Sequence, residues 1–166
     1  MSADVVAQLV EAAPIIHRIT RAVVPKPEDA EEALGEGLMM LGDALLTPAG
    51  EALDAAGRRL LAMELGARAA LGFPSGRPRA LDKPAMRDGH CAVAAAGDVS
   101  AEADASVAVS ALSGIDAMYR LVLLWREHEG LEVATIARLL RISDRAVEIR
   151  LERARGHVAL VLGACG

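Results

Sequence analysis

Apolar residues recur along most of this chain at steps of three and four, the period of helices that bury one face. Leu9, Ile16 and Ile19 share such a face between Asp4 and Val23, and Pro25 and Pro27 close that stretch. Ala30, Leu34, Leu38, Leu41 and Leu45 predict a second helix that opens at Pro27-Glu28-Asp29 and ends at Thr47-Pro48. Its start places a proline in the first turn and acids near the positive helix end. A third helix is predicted from about Ala49 to Leu71, with Leu53, Leu60 and Leu61 apolar and Arg58, Arg59 and Arg68 basic. Gly35, Gly37, Gly42, Gly57 and Gly66 fall inside these helices, at about 1 kcal/mol each relative to alanine. Such a cost points either to close helix contacts or to local mobility.

From Gly72 to Ala101 three prolines and four glycines break every period, which predicts a flexible linker. Beyond it a helix fits Glu102 to Ala111, and Ser113-Gly114 breaks the pattern. Another helix fits Ile115 to His128, with Met118, Val122 and Trp125 along one face and Gly130 at the cap position. A short helix, Val133 to Leu140, precedes the turn Arg141-Ile142-Ser143. The last helix then starts with Ser143 or Asp144 as its N-cap. The expected architecture is all-α, with two small helical modules (residues 1–71 and 102–166) joined by a flexible linker (72–101). Glu129 to Arg155 has the layout of a helix-turn-helix, whose second helix lies in the major groove of DNA.

Val147, Leu151, Ala154, Val158 and Val161 form the apolar stripe of that last helix. At about 100° per residue, Arg145, Ile149, Glu152 and Arg153 point away from the stripe. Arg150 and Arg155 flank its edge, within reach of phosphates. In a groove, Arg145, Ile149 and Arg153 meet base edges first: an arginine can grip guanine, an isoleucine only a thymine methyl. Glu148 and Glu152 oppose phosphate charge. The same pattern also describes an ordinary solvated amphipathic helix.

Composition narrows the function classes. Residues are 53% hydrophobic but only 2% aromatic, which suits helices packed through alanine and leucine. Residues 1–71 hold 6 basic and 11 acidic side chains, whereas residues 131–166 hold 6 arginines and 4 acids. The acidic first half is unlike a nucleic-acid surface, and the last helix is mildly basic. Cys91, Cys165 and the four scattered histidines lack metal-ligand spacing, so neither a metal nor another cofactor is expected. No Ser/His/Asp set or phosphate-binding glycine loop points to an enzyme. No apolar run has the length of a membrane span, and the N-terminus carries an acid where a signal peptide has positive charge, so a cytoplasmic location is expected.

Tyr119 to Leu162 resembles region four of the sigma-70 family, most of all the small extracytoplasmic-function group of bacterial sigma factors. The resemblance is carried by the apolar helix Leu121–Trp125, Glu129-Gly130-Leu131, Ile136-Ala137, Leu139-Leu140, Ile142-Ser143, Val147 and Arg150-Leu151-x-Arg153-Ala154-Arg155. More faintly, Glu28-Asp29-Ala30-Glu31-Glu32 and Glu36 resemble the polymerase-docking helix of region two. The resemblance implies a transcription factor with two partners. RNA polymerase core would be bound through Glu28, Asp29, Glu32 and Glu36. The −35 element of promoter DNA would be bound through Arg141, Ser143, Arg145, Ile149, Arg150, Arg153 and Arg155. Region two is degenerate by the same comparison. Residues 1–71 contain no Phe, Tyr or Trp to stack on unpaired bases. Ala146, Glu148 and Ile149 also depart from the family pattern, and Arg141 replaces a turn glycine. A second reading therefore stands beside the first: a sigma-like regulator that binds an anti-sigma factor or polymerase without melting promoters.

Overall fold

A computed structural model describes residues 3–73 and 114–164. Among them are seven α-helices and no strand. The N-terminal part contains α1 (Ala3–Val23), α2 (Pro27–Leu45), the short α3 (Pro48–Glu51) and α4 (Ala55–Gly72). The C-terminal part contains α5 (Ala117–Leu123), a π-helical turn over Leu124–His128, α6 (Val133–Leu140) and α7 (Asp144–Ala164). The expected all-α architecture with a C-terminal helix-turn-helix is what the chain adopts. Most of the predicted linker and the predicted helix from Glu102 to Ala111 lie outside the described residues.

Helix boundaries follow from capping. Pro27 sits in the first turn of α2 with Glu28 and Asp29 beside it, and no side chain caps that end. α1 runs through Pro14, which lies exposed and forfeits one ladder hydrogen bond. The single helix expected from Ala49 to Leu71 is in fact two. Thr47 Oγ1 accepts from Gly50 N (3.1 Å) to start α3. Asp54 Oδ1 accepts from Gly57 N (2.7 Å) to start α4. Asp54 is extended at that point, so the chain breaks there and restarts. Gly57 thus supplies a capped amide in the first turn.

Ile16, fully buried on α1, is where three helices converge. A Cβ on Gly37 of α2 would stand 2.9 Å from Ile16 Cγ2, and one on Gly66 of α4 3.3 Å from the same atom. Close helix contact accounts for those two glycines. Gly35 has open space where a Cβ would be. Around this point Val5, Ala12, Leu41, Leu45, Ala62 and Leu65 complete a core private to the N-terminal helices.

A second, larger core is shared. Ile19 and Val23 of α1 and Met63, Ala67 and Ala70 of α4 pack in one cluster with Leu121, Trp125, Ile136, Val147 and Leu151. Trp125 is fully buried there. Polar ties reinforce the seam. Arg120 of α5 donates from Nη2 to Val23 O at the end of α1 (2.8 Å), where a cation suits the negative helix end. Burial lowers the Arg120 pKa from its ordinary value, and Asp116 opposes that shift.

Gly35→Ala is expected to stabilise the fold by about 0.5–1 kcal/mol, because it removes a helix-interior glycine at an open position. Gly37→Val is expected to destabilise it by about 1–3 kcal/mol through overpacking against Ile16. Urea melts of the two variants check this. Equal shifts of the same sign would mean that α2 does not pack as described.

Candidate nucleic-acid interface

The helix-turn-helix is built from α6, the turn at Arg141–Ser143 and α7. α6 ends in a Schellman arrangement: Ile142 N donates to Ala137 O (3.0 Å) and Arg141 N to Arg138 O (3.3 Å). Arg141 adopts φ 55°, ψ 43°, the left-handed region. It is the one non-glycine residue with positive φ among those described. A β-carbon there costs on the order of 1 kcal/mol, the strain expected from an arginine in a glycine position. Ser143 resolves the open choice of cap: its Oγ accepts from Ala146 N (3.2 Å), while Asp144 is the first helical residue.

The inward stripe of α7 matches the periodicity. Val147 and Ala154 are fully buried and Leu151 nearly so, while Val158 is half-buried. Val161 lies among residues whose side chains are not described. On the opposite face Arg145, Glu148, Glu152, Arg153 and Arg155 are exposed. Ile149, expected to point outward, is half-buried, as is Arg150.

The arginines expected to meet DNA are engaged within the chain. Arg145 lies 3.8 Å from Glu148. Arg150 donates from Nη1 to Ala146 O (2.9 Å). Arg153 donates to the Tyr119 hydroxyl (3.3 Å). Arg155 donates from Nε to Glu127 Oε1 (3.0 Å), and its Nη2 reaches the same oxygen. Arg141 stands 3.6 Å from Glu64 of α4, which also accepts from Arg68 at 3.0 Å. The exposed ion pairs among them are worth about 0.2–1 kcal/mol each, so a phosphate can displace them. Charge on the face is balanced: Asp144, Glu148 and Glu152 stand against Arg145, Arg153 and Arg155.

The acids expected to hold polymerase lie on α2. Glu28, Glu32 and Glu36 are exposed, and Asp29 is half-buried. Glu28, Glu32, Glu36, Met39, Asp43 and Leu46 recur at steps of four and three along one outer stripe. Met39 and Leu46 are 73% and 53% exposed, large apolar side chains left without cover.

A third cluster was not foreseen. Glu129, whose side chain is 4% exposed, stands 3.0 Å from Arg18 Nε of α1 and 2.7 Å from Arg59 Nη2 of α4. The partners are separated by 111 and 70 positions in sequence, and no local pattern could reveal the pairing. Among the described residues no three His, Cys, Asp or Glu side chains gather as a metal site. No described helix is long and apolar enough to cross a membrane.

Comparison with known proteins bears on the second half of the chain. No curated protein matches it. Residues 109–158 match the family model for sigma-70, region 4, which spans α5, α6 and most of α7. That domain is a non-enzymatic transcription-factor unit, of a kind typical of extracytoplasmic-function sigma factors. Residues 109–158 are thus similar to region 4 of the sigma-70 family, a likeness that suggests a sigma-factor-like, DNA-binding role in transcription.

Proposed function

We propose that the protein is a cytoplasmic transcription regulator that reads the −35 element of promoter DNA with α7 and docks on RNA polymerase core through α2. The observation that carries this reading is the region-4 match on a helix-turn-helix whose reading face is exposed. Ser143 caps the helix end that faces a phosphate, where free amides and the helix dipole favour an anion. Arg145 and Arg153 take the base edges, and Arg141, Arg150 and Arg155 take the backbone. The outer stripe of α2, acids with Met39 among them and Leu46 at its end, fits a basic partner surface with apolar pockets.

One observation favours the second reading, a regulator that acts by protein contacts without melting promoters. The exposed face of α7 carries as many acids as arginines. Long-range attraction to phosphate is therefore small, and affinity would rest on local contacts. An anti-sigma factor or RNA polymerase is the expected partner in that case.

Two measurements decide between them. Arg145→Ala with Arg153→Ala should weaken binding to a duplex carrying the promoter site by about tenfold or more, read by fluorescence anisotropy at fixed salt. Unchanged affinity would remove α7 as the reader. Added to core polymerase, the protein should give run-off transcripts from a genomic promoter. Reversing charge at Glu28, Glu32 and Glu36 should abolish polymerase capture while leaving duplex affinity unchanged. Silence at every promoter, alongside tight capture of a protein partner, would establish the second reading instead.

A further inference from the structure

The Glu129 cluster lies at the seam between the two helical parts. Its position depends on the π-helical turn. Glu129 N donates to Leu124 O, five residues back, at 3.1 Å. The widened turn carries Trp125 into the shared core and Glu129 towards α1 and α4. Gly130, with φ 69°, then turns the chain away.

The carboxylate is almost wholly withdrawn from water, while Arg18 and Arg59 remain 43% and 51% exposed. Oε2 accepts a hydrogen bond from Arg59, and Oε1 faces Arg18 as an ion pair without hydrogen-bond alignment. His128 stands a further 4.0 Å from Oε1. Separating the parts breaks both ion pairs and returns the carboxylate and its arginines to water together. Arg120 to Val23 O and Arg141 to Glu64 bridge the same seam.

We propose that Glu129 is a latch that holds the region-4 domain against α1 and α4 in a closed state, and that its release lets the two parts separate. The latch stands independently of the promoter-reading function: it concerns only how the two helical parts are held together.

Thiol labelling of the full chain tests this, with Cys91 and Cys165 replaced by serine. Ala67→Cys places a probe in the shared core, and Ala62→Cys places one in the private core of the N-terminal helices. Glu129→Gln should speed labelling at position 67 about tenfold or more and change position 62 less than about twofold. Arg18→Gln with Arg59→Gln, two half-exposed sites, should reproduce the effect. Adding Glu129→Gln to that pair should then change little, since all three substitutions remove one shared interaction. Equal acceleration at both probes would mean that Glu129 supports the whole fold, and no acceleration at either would mean that the parts are not held by it. Either result overturns the latch without touching the promoter-reading function, which is judged by duplex binding and run-off.

Discussion

The seam between α1–α4 and the helix-turn-helix governs where every charged face of this protein points. Its apolar part is the cluster around Trp125, with Ile19, Val23 and Met63 on one side and Leu121 and Ile136 on the other. Burying side chains of this size contributes about 1.5–3 kcal/mol each, so the seam is held first by hydrophobic burial. The ion pairs then set orientation. Arg18 and Arg59 converge on one carboxylate from different helices, which ties the segment between the π-helical turn and α6 to both α1 and α4. With the seam closed, the α2 stripe and the arginine face of α7 are both exposed. The protein thus presents both proposed binding faces while holding them at a fixed separation.

Much of this fold was legible in the sequence because helices packed on one face leave a period of 3.6. The bounds of α1, α2 and α6 follow from where apolar residues recur and where Pro25, Pro27, Thr47 and Arg141 interrupt them. The break at Asp54 does not show in the period, because an aspartate inside an apolar pattern resembles a solvent-facing residue until its side chain caps Gly57. The π-helical turn was invisible because one extra residue per turn changes the phase of only two or three side chains. The inward face of α7 was legible for the same reason as the other helices. What the arginines do was not, since Tyr119 and Glu127 reach them from a different helical segment. Glu129 is the extreme case: its role exists only once two distant helices have docked.

Small side chains explain how a chain so poor in aromatics builds a close core. Ile16 fills the space left by two glycines, Gly37 and Gly66, so three helix backbones approach where larger residues would hold them apart. The one tryptophan is spent at the seam, inside the shared cluster. The N-terminal helices therefore keep no aromatic surface for unpaired bases, and single-strand capture depends on such surfaces together with a cationic groove. Two of the basic residues on this part, Arg18 and Arg59, are already drawn to Glu129.

These two constraints meet. Opening of the seam, which gives up the Glu129 contacts together with the shared core, would free Arg18 and Arg59 as the two parts separate. The N-terminal part would then gain two unpaired cations on neighbouring helices, although it would still lack stacking surfaces. Charge alone supplies sequence-independent attraction to phosphates and no grip on an unstacked base. Opening thus improves the chain's hold on a nucleic-acid backbone more than its capacity to melt a duplex. In the proposed function sequence reading rests with α7, whose balanced charge would make each local contact of Arg145 and Arg153 count for more than the overall field.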